Sequence, residues 1–129
     1  PGVYSLLGLL RRHFRDQDIE VIPGISSVQY LFARLNMPWQ ECRIFSLHGR
    51  SGLDLAAEAK QKRLLAVLTD PKITPGLIAG ELIKRGVTGR KVHVGSCLAG
   101  PRERIVSSSL EDIARLEINE MSVMVIEDE

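Results

Sequence analysis

The sequence predicts an α/β protein built on a mostly parallel or mixed sheet, and three observations support this prediction. The run Leu64–Leu68 is continuously apolar, as in a strand that is covered on both faces. The segment Pro75–Arg85 has the periodicity of an amphipathic helix. From Arg43 onward, β-rich runs alternate with helical segments of roughly 10–15 residues, which is the pattern of strands connected by helices that cover a sheet.

The first part of the chain predicts two helices separated by a short strand. Apolar residues recur at helical spacing from about Tyr4 to Phe14. Ile19–Ile22 is a short β-rich run that Pro23-Gly24 ends, and Ser26 or Ser27 can cap the next helix. The expected core face of that helix contains Val28, Leu31, Phe32 and Leu35.

The middle of the chain predicts two strands and two helices. Arg43–Leu47 alternates like a strand, and Leu53–Lys62 has a helix-forming composition. After the apolar strand, Thr74 can cap a helix that has Pro75 at its first position and Gly86 just past its end. The residues expected to point inward from this helix are Leu77, Ile78, Leu82 and Ile83.

The last part predicts two strands around a short pairing segment and one more helix. Lys91–Gly95 is the next strand, and a segment at Glu103–Val106 is expected to pair with a neighbour. Ser109, followed three residues later by Asp112, resembles a capping box and starts a helix through Leu116. Ser122–Ile126 is predicted to close the sheet.

Composition and charge exclude several classes of protein. The 129 residues are 44% hydrophobic, and 17 basic against 16 acidic residues give a net charge of +1, so no basic field is available for nucleic acid. No apolar run approaches the roughly 20 residues that span a membrane. Cys42 and Cys97 lack metal-site spacing, so we expect free thiols, no bound metal and a cytoplasmic location.

Four polar features are candidates for binding, each with a structural alternative. The turn from Ile22 to Ser27 leads into a helix N-terminus, where free N–H groups suit a carboxylate, although Pro-Gly and Ser are also ordinary turn and cap residues. The reference pKa of a histidine side chain lies near neutrality, so His48 is a candidate acid or base, although it can also be a local hydrogen bonder. Arg50 can grip a carboxylate with two N–H groups or be a solvated loop residue. The run Arg102-Glu103-Arg104 favours a solvated turn over a second carboxylate clamp.

Several segments together resemble one known family. Pro23–Gln29, then Phe32–Leu35 with Pro38-Trp39, and then Ser46–Arg50 are similar to the tetrapyrrole (corrin/porphyrin) methylases. The segment Leu47-His48-Gly49-Arg50 looks like the branch that methylates C5 of a corrin precursor, precorrin-6Y or cobalt-precorrin-7. The resemblance therefore implies S-adenosylmethionine as cofactor, a small tetrapyrrole as substrate and a homodimer.

The resemblance also implies a division of the chain and a set of site residues. Residues 1–40 are expected to be a remnant of an N-terminal lobe and residues 41–129 a C-terminal α/β lobe, with the cofactor between the two lobes. His48 and Arg50 are the expected substrate-binding residues, and no catalytic residue is assigned. The expected cofactor-binding residues are Val3, Ser26, Ser27, Leu68, Thr69, Cys97 and Leu98.

The start of the chain bears on the expected activity. Pro1-Gly2 resembles the tail of a Gly-Asp-Pro-Gly segment that family members place at the donor site. We therefore expect an incomplete enzyme that binds S-adenosylmethionine weakly by itself. The alternatives are another tetrapyrrole methylase, or a non-enzymatic α/β module for dimerisation or regulation.

Overall fold

A computed structural model describes residues 2–46, 52–61 and 63–129. Besides a 3-10 turn at Asp16–Asp18, its elements in chain order are α1 (Gly2–Leu10), α2 (Ser27–Arg34), β1 (Arg43–Ser46), α3 (Gly52–Lys60), β2 (Leu65–Leu68), α4 (Pro75–Lys84), β3 (Arg90–Ser96), β4 (Arg104–Ser109), α5 (Leu110–Ile113) and β5 (Ser122–Asp128).

The strands form a five-stranded mixed sheet in the order β1-β2-β5-β3-β4. Among the described strands, only β1 and β2 pair in parallel, because β5 runs antiparallel to both β2 and β3, and β4 runs antiparallel to β3. The short connection from Ser96 to Arg104 allows only an antiparallel pair, since a parallel crossover needs a dozen or more residues. The predicted mixed α/β sheet is confirmed, with parallel pairing confined to one edge.

Helices cover the two faces of this sheet and divide its side chains between two cores. Alternate residues of the central strands point to opposite faces. The larger core lies under α3, α4 and α5 and includes Val67, Val94 and Met124 of the sheet. The smaller core lies under α2 and contains Val28, Leu31, Phe32, Ala66, Val123 and Val125. The predicted boundary after residue 40 stays a prediction, although α2 packs directly on strands that follow it.

The predicted strand at Ile19–Ile22 is wrong. Residues 19–26 have no regular secondary structure, and Val21, Ile22 and Ile25 are exposed by 55%, 83% and 80%. A strand forms only where a neighbour pairs with its N–H and C=O groups, and none of the described strands lies beside this segment. Its β-rich composition is therefore not sufficient for a strand.

The helix α4 confirms its predicted capping and most of its predicted inward face, since Ile78 and Leu82 are buried and Ile83 packs against the same core. The hydroxyl of Thr74 accepts a hydrogen bond from the Leu77 amide at 3.3 Å, and Gly86 has a φ of +79°. Leu77 itself is 62% exposed, so its predicted burial is wrong. The buried stripe follows the helical repeat from the first position onward and consists of Pro75, Ile78, Ala79 and Leu82.

Three other helices differ from prediction mainly at their ends. The first ends at Leu10 rather than Phe14, and hydrogen-bonded turns follow it. The third spans Gly52–Lys60. The last ends at Ile113 rather than Leu116, although the Ser109 hydroxyl caps the Asp112 amide at 3.1 Å as predicted. Local signals therefore located the starts of helices better than their ends.

Among the described residues, one with a charged side chain lies fully inside the fold. Arg90, at the start of β3, is 1% exposed. Its guanidinium donates hydrogen bonds to the carbonyl groups of Ala59 at 3.2 Å, Ile126 at 3.3 Å and Arg63. These carbonyls belong to the last turn of α3, the segment before β2, and β5. Arg90 therefore ties three segments together at this end of the sheet.

Candidate functional site

The ends of two strands and the start of a third meet at one edge of the sheet, which we call the carboxyl edge. Because β5 is antiparallel to β2 and β3, it begins where they end: Leu68 pairs with Val123, and Ser96 pairs with Ser122. The structure therefore brings together four of the predicted cofactor-binding residues, which directly end or follow β2 and β3: Leu68, Thr69, Cys97 and Leu98.

Thr69 fixes the carboxyl edge through its side chain. It is 4% exposed, and its hydroxyl donates to the carbonyl of Ser122 at 3.0 Å while accepting from the Ser122 amide at 3.2 Å. The Thr69 amide also donates to the same carbonyl at 3.1 Å. These bonds occupy the hydroxyl of Thr69 with structural contacts, so any ligand contact by this residue would come from its main chain.

The loop after β3 has an unusual backbone. Cys97 and Ala99 have φ angles of 49° and 61°, in the left-handed region that residues with a side chain rarely adopt. The Gly100 amide donates to the Cys97 carbonyl at 3.2 Å and closes a tight turn. Such strain persists only where surrounding contacts hold it, and it is common at ligand-binding segments.

Leu98 points from this loop into the smaller core. A Cβ atom built on Gly95 would lie 2.8 Å from Leu98 Cδ2 and 2.9 Å from Leu31 Cδ1, so these two leucines cover the glycine. The absence of a side chain at Gly95 lets both α2 and the loop approach β3 closely. Leu98 therefore serves packing with its side chain, and Cys97 remains a half-buried free thiol.

The start of α2 faces the carboxyl edge. Its fifth residue, Leu31, lies over Gly95, whereas Met37, just beyond the helix, lines a cavity with Arg43 and Leu64 at the opposite ends of β1 and β2. The helix therefore runs from the carboxyl edge toward the other end. Its cap is a capping box, in which the Gln29 amide donates to the Ser26 hydroxyl at 3.1 Å.

Replacing Ser26 with alanine is expected to lower the free energy of unfolding by about 1 kcal/mol, because the helix loses its side-chain cap. Ser27→Ala is the matched control at the next position, where the residue lies inside the helix and is exposed. Urea unfolding followed by circular dichroism measures both. Equal losses from the two variants would contradict the assignment of Ser26 as the cap.

Glu103 joins α2 to the loop. One carboxylate oxygen accepts from the Ala99 amide at 2.8 Å, and the other lies 3.0 Å from Arg34 Nε. The hydrogen bond from the Tyr30 hydroxyl is the main cause of a lowered pKa of Glu103, followed by that of the Ala99 amide, and it raises the pKa of Tyr30. The prediction of a solvated turn is therefore wrong for Glu103, whereas Arg102 and Arg104 are exposed.

The structure describes the remaining predicted site residues only in part or not at all. His48 and Arg50 lie outside the described residues, although β1 ends at Ser46, which pairs with Leu68 at the carboxyl edge. Val3 lies in α1, and its side chain lies outside the described part. Sequence reasoning missed Tyr30 and Arg34, for which the only signal was their spacing of four residues on one face of α2.

His93 is held by its neighbours in the sheet. It is 5% exposed, with Nδ1 2.7 Å from the Ser107 hydroxyl and Nε2 2.8 Å from a carboxylate oxygen of Glu127. Among the described residues, no group of three or more His, Cys, Asp and Glu side chains could hold a metal ion. Within the same part of the chain, no helix is long and apolar enough to cross a membrane.

Comparison with known protein sequences identifies relatives. The family model for tetrapyrrole (corrin/porphyrin) methylases matches residues 1–114. A cobalt-precorrin-7 C(5)-methyltransferase from Salmonella typhimurium is 37% identical over 107 residues, which cover 81% of this chain and 51% of the relative. A probable cobalt-precorrin-7 C(5)-methyltransferase from Methanocaldococcus jannaschii is 30% identical, covering 92% of this chain and 56% of the relative.

Solved structures share the fold. A precorrin-6Y methylase of cobalamin biosynthesis from Archaeoglobus fulgidus matches with a TM-score of 0.62 and 26% identity, covering 96% of this chain and 56% of that one. A uroporphyrin-III C-methyl transferase from Thermus thermophilus, in complex with S-adenyl homocysteine, matches in fold with a TM-score of 0.68 and 24% identity, covering 98% and 58%. This chain thus spans about half the length of its relatives, and it belongs to the tetrapyrrole (corrin/porphyrin) methylase family.

Proposed function

We propose that this chain supplies one side of an S-adenosylmethionine site in an enzyme that methylates C5 of a corrin precursor, precorrin-6Y or precorrin-7, in cobalamin biosynthesis. The convergence of the ends of β2 and β3 with the start of α2 at the carboxyl edge carries the proposal. The relatives named as cobalt-precorrin-7 C(5)-methyltransferases support the choice of substrate.

The residues at the carboxyl edge fit such a cofactor. Three of the predicted residues have small side chains. Ser26 and Ser27 lie at the start of α2, and Cys97 directly follows the end of β3. Because Thr69 and Leu98 use their side chains for the fold, we propose that they contact the cofactor through main-chain groups. The free N–H groups at a helix start also favour the carboxylate of the methionine part. We add Val3 to this set on the resemblance alone.

The chemistry needs alignment more than acid or base groups. S-adenosylmethionine supplies a methyl group that is already activated by its sulfonium. An electron-rich carbon of the ring can act as the nucleophile. Correct positioning of two reactants can supply about 7–11 kcal/mol in ideal intramolecular cases. The role proposed for this chain is therefore to hold the donor rigidly at the carboxyl edge.

His48 and Arg50 are proposed to face the tetrapyrrole. Their support is the position of β1, whose last residue, Ser46, pairs with Leu68 at the carboxyl edge. A corrin precursor carries acetate and propionate groups, and the planar guanidinium of Arg50 can donate two parallel hydrogen bonds to one of these carboxylates. His48 is proposed as a neighbouring hydrogen-bonding group rather than as a catalytic base.

A chimera tests the proposal. The amino-terminal half of the Salmonella relative is fused to this chain, and transfer of an isotope-labelled methyl group to cobalt-precorrin-7 is measured. We expect transfer to C5, and we expect Arg50→Ala to raise the KM for the tetrapyrrole about tenfold, as loss of a charge-assisted hydrogen bond implies. Arg12→Ala, at an exposed position after α1, is the matched control.

The outcomes separate the proposal from its alternatives. Transfer to a different ring, with none to cobalt-precorrin-7, would indicate another tetrapyrrole methylase. A chimera that has the expected circular dichroism spectrum but transfers no label to any corrin precursor would contradict the enzymatic proposal and favour a dimerisation or regulatory module. The homodimer and the cytoplasmic location stay predictions, and sedimentation of the chimera measures the first.

A further inference from the structure

Glu103 is the point at which the two sides of the carboxyl edge are connected by polar contacts. Its carboxylate meets Tyr30 and Arg34 on α2, and it accepts a hydrogen bond from the Ala99 amide in the loop after β3. The helix contributes Ser26 and Ser27 at its start, and the loop contributes Cys97 and Leu98. One side chain therefore connects the two elements that carry these residues of the proposed cofactor site.

The bond to Ala99 acts on a backbone that is unfavourable by itself. Ala99 has a φ of 61°, and Cys97, two residues earlier, is also in the left-handed region. Residues with a Cβ atom pay a conformational cost there, so an external contact is needed to hold the turn. The 2.8 Å hydrogen bond from the Ala99 amide to the Glu103 carboxylate is such a contact.

The setting of Glu103 differs from that of an ordinary surface ion pair. The Glu103 side chain is 17% exposed, whereas that of Arg34 is 55% exposed. An exposed pair formed by long side chains contributes little to stability, because water screens the charges and the side chains lose conformational entropy. Here the same carboxylate also accepts a hydrogen bond from the Ala99 amide at 2.8 Å, and charge-assisted hydrogen bonds are stronger than neutral ones. The Tyr30 hydroxyl is the main cause of the lowered pKa of Glu103.

We propose that Glu103 is a positioning residue, whose carboxylate holds the Cys97–Ala99 turn against α2 and so keeps the loop and the helix start at the spacing that the cofactor requires. This inference rests on the proposed function. Leu31 and Leu98 pack over Gly95 and provide the apolar part of the same joint. Glu103 provides the polar part, whose directional hydrogen bonds fix the orientation of the turn.

Amide hydrogen exchange on the full chain tests the holding role without any ligand. In Glu103→Ala, exchange at Ala99 and Gly100 is expected to be about tenfold faster or more, whereas β2 and β5 keep their protection, since the variant removes a charge-assisted bond from the loop alone. Glu103→Gln keeps one carbonyl acceptor and is expected to give a smaller change. Glu81→Gln, which disrupts the exposed ion pair with Arg85 in α4, is the matched control.

Titration of the chimera with S-adenosyl homocysteine tests the consequence for the cofactor. Glu103→Ala is expected to weaken binding about tenfold, with partial rescue in Glu103→Gln and no change in Glu81→Gln, because a preorganised site loses less entropy on binding. The KM for the tetrapyrrole is expected to stay unchanged. In the double variant Tyr30→Phe/Glu103→Gln, the loss of binding free energy for S-adenosyl homocysteine is expected to be smaller than the sum of the losses in the two single variants.

Amide exchange and cofactor titration distinguish failure of the holding role from failure of the positioning role. Unchanged exchange at Ala99 in Glu103→Ala would overturn the holding role, whatever the ligand does. Faster exchange with unchanged affinity would show a structural contact only and overturn the positioning role. A wild-type chimera that binds no S-adenosyl homocysteine would overturn both the proposed function and the positioning role, while the exchange result would still report on the loop.

Discussion

Replacing Arg90 with alanine is expected to lower the free energy of unfolding by about 3–5 kcal/mol, since two buried carbonyls and one partly buried carbonyl lose a charged donor. The guanidinium donates to the carbonyls of Ala59, Arg63 and Ile126, so its removal loosens the contacts among α3, the segment before β2, and β5. The side chain is also among the largest that are fully buried, and alanine would leave a cavity in its place. Urea unfolding followed by far-UV circular dichroism measures the loss.

Two further variants show which property of Arg90 matters. Arg90→Met fills most of the volume without donors and is expected to remain close to the alanine variant, because the carbonyls stay unsatisfied. Lys91→Ala is the control at the next position, where the side chain is 49% exposed and its ammonium lies 3.7 Å from Glu127. A loss below about 1 kcal/mol in Arg90→Ala would contradict the role assigned to these hydrogen bonds.

Gly76→Ala is expected to lower the free energy of unfolding by about 1–3 kcal/mol through overpacking. A Cβ atom at this position would lie 2.8 Å from the carbonyl oxygen of Leu116 and 3.4 Å from that of Ile113. Both are backbone atoms, so α4 and the segment around α5 would have to move apart. Thermal unfolding of the variant measures the effect.

Gly80→Ala provides the control within the same helix. No atom lies within 4 Å of a Cβ built on Gly80, and alanine favours a helix interior over glycine by about 0.8–1 kcal/mol. We therefore expect the same substitution to stabilise the fold at Gly80 and to destabilise it at Gly76. Loss of stability in both variants to the same extent would mean that the close approach to Leu116 is not the cause.

The features predicted correctly from the sequence are those that depend on neighbouring residues. Thr74, Pro75 and Gly86 bracket α4 because capping and chain reversal are local properties, and the cap at Ser26 follows the same logic. The pairing of strands that are distant in sequence cannot be predicted from neighbouring residues in this way. Nothing near β5 in the sequence shows that it lies between β2 and β3, and a β-rich run such as Ile19–Ile22 does not reveal whether a partner strand is available.

In the candidate site, too, some features could be predicted from the sequence and others depend on residues that are distant in sequence. The family resemblance implied Leu68, Thr69, Cys97 and Leu98, and the sheet register brings these residues to one edge. Their side-chain roles could not be predicted, since the bonds of Thr69 to Ser122 join residues that are distant in sequence. The run of alternating charges predicts a solvated turn at Glu103, because it does not reveal that the partners of Glu103, Tyr30 and Arg34, lie on another element.

The central position of β5 has a consequence for how the chain folds during synthesis. It is the last of the described strands along the chain, yet it lies between β2 and β3. Until the ribosome has released it, the β1–β2 pair and the β3–β4 hairpin have no strand to join them, and their inner edges remain open to pairing with other chains. Completion of this sheet therefore waits for β5, the last of its five described strands to be synthesised, and a nascent chain stalled before Ser122 would present two separate half-sheets to the chaperones.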